Sequence, residues 1–227
     1  MRTEYRSQGD QALFIVHDLP PRYHAAARRV EHEPFEGGLA RIFPADSLHL
    51  ERAYANYARL LEEYLATEAG ERPVRWEGAL EALLRAIRGQ EITWMLVGSA
   101  TLAVRGLDVS PGDIDLATDV AGARRLGELL IDALVEPVMP VSDWICRWWG
   151  RAWMGARVEW VGDVLPTVDQ PHPADFGPTA MAQAVTVPWR GYEVPVPPLK
   201  LMLAVTERRG LVQRAETIRQ ALAAGQR

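Results

Sequence analysis

The chain has 227 residues, of which 48% are hydrophobic and 24% are charged. These proportions are typical of a globular protein and exclude a disordered, collagen-like or coiled-coil chain. The 30 acidic and 25 basic residues give a formal net charge of −5, which disfavours a protein that grips long nucleic acid through its phosphates.

The cysteine content and the hydropathy pattern bear on the cellular compartment. The single cysteine, Cys146, has no partner for an internal disulfide or for a metal-ligand pair, so a reducing, cytoplasmic compartment is expected. The first ten residues lack the apolar core of a signal peptide. The longest apolar-leaning stretch, 92–104, is far shorter than the ~20 residues that span a bilayer, so we expect no membrane association.

The beginning of the chain is predicted to form short strands and one long helix. Compact apolar runs at 12–16 and 39–43 are typical of strands. Apolar residues at spacings of three and four then predict a helix that continues to about Thr67, with Asp46 or Ser47 in position to cap it.

A break in the pattern at 69–73, rich in helix-ending residues, is the best candidate boundary in the chain. We therefore predict a small N-terminal α+β appendage, residues 1–72, and a main domain, residues 73–227. The appendage is small for an independent core, so we expect it to pack on the main domain or on a protein partner.

The elements predicted after the boundary alternate between helices and short strands. In chain order they are a helix over 77–87, a buried strand over 92–97, a short helix over 100–105, a strand over 113–117, a helix over 121–134, a strand over 158–161, a hairpin over 184–196 and a final helix from Pro197 or Pro198 to Leu222 with a break near Gly210.

Two aspartates on one predicted strand are the first candidate site residues. Asp113 and Asp115 stand at positions i and i+2, so their side chains point the same way. They repel one another unless a cation lies between them, and carboxylate oxygens suit Mg²⁺. The alternative is a solvated strand end that follows a Ser-Pro-Gly turn.

A third carboxylate is predicted from a later strand. Glu159 lies inside an apolar alternation, whereas Asp163, the alternative third carboxylate, follows Gly162 in a turn. A carboxylate from a neighbouring strand would allow a second metal ion ~3.5–4 Å from the first.

The turn Gly98-Ser99 ends a buried strand and begins a predicted helix. Unpaired N–H groups and a hydroxyl at such a turn suit an anion such as a triphosphate. Ser99 is also a typical helix cap, and that role is compatible with phosphate binding.

These motifs together resemble the nucleotidyltransferase superfamily that includes DNA polymerase β. The matching residues are Val97-Gly98-Ser99-Ala100 and, after about a dozen residues, Asp113-Ile114-Asp115-Leu116. The likeness is to small bacterial members, such as antibiotic nucleotidyltransferases and toxin–antitoxin nucleotidyltransferases, and it covers roughly residues 76–222.

The resemblance implies an α/β (α+β) fold with a mixed sheet of about five strands flanked by helices. It implies that Asp113 and Asp115 hold Mg²⁺ and that Ser99 with the Gly98 backbone positions the β- and γ-phosphates of an NTP. Glu159 would complete a second metal site or act as general base. The reaction would transfer NMP to a hydroxyl of a small molecule, a tRNA end or a protein, with release of pyrophosphate.

Two departures from the family pattern favour an alternative of a different class. Many small members carry an arginine and a threonine before the first aspartate, where this chain has Val109-Ser110-Pro111-Gly112. In the final helix, where relatives often carry a lysine followed by an aspartate, this chain has Val205 and Gln213-Arg214-Ala215. The alternative is a catalytically silent module that binds a partner, such as a toxin–antitoxin component. The intact Gly98-Ser99 turn and the paired aspartates disfavour it.

Dense tryptophans and paired arginines leave further alternatives. The tryptophans between 144 and 160 are typical of core and hairpin packing, or of an aromatic wall for a base or a planar acceptor. The pairs Arg28-Arg29 and Arg208-Arg209 are typical of solvated helix faces, although either pair is able to contact a triphosphate.

Overall fold

The computed structural model describes residues 1–226, which form two larger β-sheets, a β-hairpin and flanking helices. The strands are β1 (Arg2–Gln8), β2 (Gln11–His17), β3 (Glu33–Phe35), β4 (Gly38–Pro44), β5 (Trp94–Val97), β6 (Asp113–Thr118), β7 (Leu134–Pro140), β8 (Cys146–Trp153), β9 (Arg157–Val164), β10 (Val185–Trp189) and β11 (Tyr192–Val196). The helices are α1 (Pro21–Arg29), α2 (Leu50–Glu68), α3 (Trp76–Ile87), α4 (Ala100–Ala103), α5 (Val120–Leu129), α6 (Pro178–Ala182), α7 (Leu199–Arg208) and α8 (Val212–Ala223), with a 3-10 turn at Pro166–Asp169. None of the described helices is both long and apolar enough to cross a lipid bilayer.

A five-stranded mixed sheet forms the centre of the main domain, in the order β5-β6-β9-β8-β7. Strands β6 and β9 are parallel, and the other neighbours are antiparallel. Helices α3 and α5 pack against this sheet. The predicted fold class, a mixed sheet of about five strands flanked by helices, is therefore confirmed.

Several predicted elements of the main domain agree closely with the structure. The strand expected over 113–117 is β6, and the strand expected over 158–161 is the centre of β9. The predicted hairpin forms from β10 and β11, which are joined at Arg190 and Gly191. Both turn residues have positive φ, +47° and +81°, as a two-residue hairpin turn requires.

The helix predicted over 121–134 ends earlier, and the two strands that follow were not predicted. Helix α5 ends at Leu129, and Leu134 is already the first residue of β7. Strand β7 contains Pro137 and Pro140, which are unusual in strands. Pro137 is tolerated because it lies in a register irregularity between Glu136 and Met139, and Pro140 because it is the last residue of this edge strand.

The N-terminal segment also contains elements that the pattern did not indicate, namely β1, β3 and α1. The predicted cap of the long helix is wrong, because α2 begins after His49, whose backbone is left-handed at φ +65°. The Ser47 hydroxyl instead donates a hydrogen bond to the carbonyl of Pro44 at 2.7 Å. The helix itself agrees with the prediction and ends at Glu68, near Thr67.

The N-terminal sheet, ordered β1-β2-β4-β3, packs with α2 against the main sheet at β7. One cluster of buried apolar side chains runs from Phe14 and Tyr57 in the N-terminal segment to Leu116 and Trp160 in the main sheet. The N-terminal segment thus packs on the main domain, as expected of the predicted appendage. The division at residue 72 stays a prediction.

A buried ion pair also joins the two parts. Arg41 on β4 donates two hydrogen bonds to the carboxylate of Glu136 on β7, at 2.9 and 3.0 Å. Burial disfavours the charged carboxylate, but Arg151 and Arg41 outweigh it and lower the pKa of Glu136 to about 2. The side chain of Glu136 is only 3% exposed, so its charge depends on these partners.

We expect Arg41→Met to lower the free energy of unfolding by about 3 kcal/mol, because Glu136 stays buried and charged with one partner fewer. Chemical denaturation of the full-length protein measures the loss. The matched control is Arg52→Met, which removes an exposed ion pair to Asp132 and should cost less than about 1 kcal/mol. Equal losses at the two positions would contradict a stabilising role for the buried pair.

Candidate active site

Three carboxylates predicted from separate parts of the sequence lie together on one face of the main sheet. Asp113 and Asp115 project from β6, and Glu159 projects from β9. One oxygen of each side chain lies within 4.8 Å of the others, in a half-buried position. A group of three carboxylate oxygens at this separation is able to share a single cation.

The alternation of side chains along the two strands explains this convergence. Ile114 and Leu116 on β6, and Val158 and Trp160 on β9, are buried in the core on the opposite face of the sheet. Because successive side chains of a strand alternate between the two faces of the sheet, the three carboxylates must all lie on the face that does not pack against this core. The parallel register pairs Asp115 directly with Glu159.

The same register continues across the whole sheet as one transverse row of side chains. The row, taken strand by strand from β5 to β7, is Val97, Asp115, Glu159, Arg151 and Glu136. Charge alternates along its second half, where Arg151 lies between two carboxylates. Arg41 then extends the row into the N-terminal sheet through its contact with Glu136.

Two arginines form ion pairs with the carboxylates. Arg151 Nε donates to Glu159 at 2.6 Å, and its Nη1 donates to Glu136. Arg157 Nη2 donates to Asp113 at 2.5 Å, and its Nε lies 3.1 Å from Glu159. Sequence reasoning missed both arginines. Arg157 was detectable as the same-face neighbour of Glu159, but Arg151 lies on the unpredicted β8.

Asp115 differs from the other two carboxylates because it has no ion pair among the residues that the structure describes. Burial raises the pKa of Asp115 to about 8, and the neighbouring charges of Asp113 and Glu159 add to the effect. Burial also raises the pKa of Glu159, despite Arg151 and Arg157 beside it. A half-buried carboxylate with like-charged neighbours and no basic partner fits a divalent-cation ligand.

The turn after β5 approaches this carboxylate group closely. Gly98 has φ +69°, and a Cβ at this residue would lie 2.5 Å from Oδ2 of Asp115. Glycine is therefore required for two reasons, its backbone conformation and the space it leaves. Ser99 precedes α4 but makes no side-chain cap, so its hydroxyl is not used for the capping role that the sequence also allowed.

We expect Gly98→Ala to weaken Mn²⁺ binding, because the added methyl displaces Asp115. Gly89→Ala is the matched control, since Gly89 has φ +73° but no atom within 4 Å of the place where the methyl would lie. Both variants should lose about 1 kcal/mol of stability from backbone strain, and only Gly98→Ala should lose metal affinity. Calorimetric titration with Mn²⁺ compares them, and equal affinities would show that Gly98 is not close to the ion.

A cavity of about 210 Å³ opens above Asp115 and Glu159. Its apolar wall is formed by Ile145, Trp149, Phe176 and Met202. Arg209, directly after α7, and Arg214, in the first turn of α8, add positive charge to the same cavity. An apolar wall, an acidic floor and a basic rim together suit a ligand that carries both a planar group and phosphates.

The tryptophans divide between the core and the cavity, and the alternative carboxylate lies apart from the site. Trp153 and Trp160 are core residues, whereas Trp149 lines the cavity and packs edge-on against the exposed Trp144. The core interpretation is therefore confirmed for Trp153 and Trp160, and the aromatic wall stays a prediction for Trp149. Asp163 lies beside Arg147, at 3.4 Å, and outside the group of three carboxylates.

Comparisons with known proteins find no matching family model and no matching curated protein. Among solved structures, the proposed nucleotidyltransferase TM1012 from Thermotoga maritima is 24% identical, with a TM-score of 0.48, over 64% of this chain and 91% of that chain. The structure of ANT(2")-Ia in complex with adenylyl-2"-tobramycin is 10% identical, with a TM-score of 0.43, over 65% of this chain and 89% of that chain. Both TM-scores lie below 0.5, and the proposed function rests on the geometry of the site itself.

Proposed function

We propose that this chain is a Mg²⁺-dependent nucleotidyltransferase that moves NMP from an NTP to a hydroxyl acceptor and releases pyrophosphate. The observation that carries the proposal is the convergence of Asp113, Asp115 and Glu159 within 4.8 Å. Of these carboxylates, Asp115 and Glu159 line a cavity that Gly98 also lines. Carboxylates so close together on a protein face are typical of metal-assisted phosphoryl and nucleotidyl transfer.

Each end of the site has its own proposed role in binding the nucleotide. Asp113 and Asp115 hold Mg²⁺, which when bound stabilises the negative charge on the α-phosphoryl oxygens and on the leaving pyrophosphate. The Gly98 backbone and the Ser99 hydroxyl position the β- and γ-phosphates. Arg209 and Arg214 face the same cavity and supply the positive charge that the family usually draws from a lysine.

Glu159 is proposed to act on the acceptor or to complete the metal site. The acceptor oxygen forms a bond to the α-phosphorus, and the bond from that phosphorus to the pyrophosphate oxygen breaks. Glu159 accepts the proton of the acceptor hydroxyl, and burial raises its pKa, which makes it a stronger base than an exposed carboxylate. A second ion beside Glu159, as in a two-metal site, would have to share the space with Arg157.

The acceptor remains one of three hydroxyl classes: a small molecule, a tRNA end or a protein side chain. The cavity has an apolar wall at Trp149 and Phe176, which favours an acceptor or a base with a planar face. Residues 1–72 are the proposed site for a protein partner, because they lie outside the region 76–222 that resembles the family.

One observation favours the second candidate, a catalytically silent module. Arg157 contacts both Asp113 and Glu159, so these carboxylates have a structural role that does not need a metal. The sequence alone offered no such reason to keep adjacent like charges. Asp115 still has no basic partner among residues 1–226, which is why the enzyme is preferred.

Calorimetry with non-hydrolysable analogues of the four NTPs distinguishes the two candidates. The enzyme predicts that the full-length protein binds at least one analogue with Mg²⁺ and loses that binding in EDTA. Asp163→Asn, outside the carboxylate group, is the control and should bind as the wild type does. No binding of any analogue in Mg²⁺ would favour the silent module.

A further inference from the structure

Arg157 is held between two of the three site carboxylates by the strands themselves. Its Cα is the register partner of Asp113 on the adjacent parallel strand, and Glu159 is two residues further along its own strand. Neighbouring strands of a sheet lie about 5 Å apart. The guanidinium therefore reaches Asp113 at 2.5 Å and Glu159 at 3.1 Å without leaving the sheet surface.

A further acidic residue restrains Arg157 from the other side. Glu68, at the end of α2, lies 3.8 Å from Nη1 of Arg157 and is itself only 14% exposed. The Arg157 side chain is 18% exposed. If it moved away, its guanidinium would lose its contacts with all three carboxylates, Asp113, Glu159 and Glu68. Such a loss of paired partners is costly in a partly buried site.

The charges around the site leave one carboxylate without a partner. Seven acidic and basic side chains belong to the row and its ends, and all are buried or half-buried: Asp113, Asp115, Glu136, Glu159, Arg41, Arg151 and Arg157. Every one of them has an ion pair in the described chain except Asp115. The demand for an added cation is therefore concentrated at Asp115 and at the neighbouring oxygens of Asp113.

We propose that Arg157 occupies the position of a second metal ion, so that the site binds one divalent cation, between Asp113 and Asp115, instead of two. This inference rests on the proposed function and specifies its metal content. Arg157 supplies a fixed positive charge between Asp113 and Glu159, beside the place where the α-phosphate is transferred. A guanidinium also donates hydrogen bonds in a plane, which suits a phosphoryl oxygen as well as a carboxylate.

The number of bound Mn²⁺ ions, counted by electron paramagnetic resonance of free Mn²⁺ during a titration, tests this proposal. The full-length wild type should bind one ion per chain at this site, and Arg157→Gln should bind two. Arg157→Lys keeps the positive charge and should bind one. Arg147→Gln, which removes the partner of Asp163 on the same sheet, is the control and should also bind one.

The outcomes separate this inference from the proposed function. Two ions in the wild type, or one in both the wild type and Arg157→Gln, would overturn the inference and leave a metal-dependent transferase in place. No ion in the wild type would overturn the proposed function and the inference with it. If Arg157→Gln does not fold, the wild-type count and Arg157→Lys still decide, because two ions in either one contradict the proposal.

Discussion

Asp115→Asn is expected to lower nucleotidyl transfer by roughly 10³-fold or more, the scale of losing about 4 kcal/mol of transition-state stabilisation. Asp115 is the carboxylate without an arginine partner among the described residues, so its charge is available to a metal ion. The asparagine keeps the shape of the side chain and removes that charge. The assay uses the NTP that binds in calorimetry, labelled at its α-phosphate, and follows transfer of the labelled NMP to the acceptor. A rate above a tenth of the wild-type rate would contradict this role.

The same substitution should have the opposite effect on stability. Because the pKa of Asp115 is raised from 3.8 to about 8 in the folded protein, the folded state holds a proton that the unfolded state releases between these pH values. Without metal, the stability of the wild type should therefore fall as pH rises from about 4 to about 8, and Asp115→Asn should lack this fall.

Thermal unfolding at pH 8.5 and at pH 4 checks this expectation. At pH 8.5 without metal, Asp115→Asn should unfold at a higher temperature than the wild type, and the difference should nearly vanish at pH 4. Added Mg²⁺ should stabilise the wild type at pH 8.5 and leave Asp115→Asn unchanged. A variant that is less stable than the wild type at pH 8.5 would contradict this expectation, because it would show that the charge of Asp115 stabilises the folded protein even without a metal ion.

Glu159→Gln is expected to lower transfer by roughly 10²-fold or more and to leave NTP binding nearly intact. The glutamine oxygen is still able to accept the hydrogen bond that Arg151 donates to Glu159, so the row across the sheet should keep its geometry. What is lost is the group that accepts the proton of the acceptor hydroxyl. The assay is the same α-phosphate transfer, with nucleotide affinity measured separately by calorimetry.

Asp163→Asn is the matched control for this substitution, because Asp163 lies on the same strand and pairs with Arg147. It should transfer at the wild-type rate. Unchanged transfer in Glu159→Gln would move the role of the third carboxylate to Asp163 or to Asp175, which lines the same cavity.

The part of the fold that carries the carboxylates was predictable because it follows simple rules. Strands β6 and β9 alternate polar and apolar residues, and this alternation places Asp113, Asp115 and Glu159 away from the core. The strand–turn–helix order around Gly98 indicated the nearby turn. Which strands pair in parallel is a property of the whole sheet, and local pattern does not specify it.

The arginines and the N-terminal contacts were not predictable for related reasons. Strand β8 does not alternate regularly, and β7 contains two prolines, so Arg151 and Glu136 had no predicted strand to lie on. The pair between Arg41 and Glu136 spans 95 positions in the sequence, and no local signal links such residues. Strand β1 is an exposed edge of its sheet, where polar residues at most positions hide the pattern of a strand.

A crystal structure of the full-length protein soaked with Mn²⁺ and a non-hydrolysable NTP tests the central claim most directly. The proposed function predicts anomalous density for an ion bound by Asp113 and Asp115, and phosphates against the Gly98 backbone and the Ser99 hydroxyl. The α-phosphorus should face Glu159 across the cavity. A nucleotide bound elsewhere, or carboxylates that keep only their arginine partners at saturating Mn²⁺ and nucleotide, would contradict it.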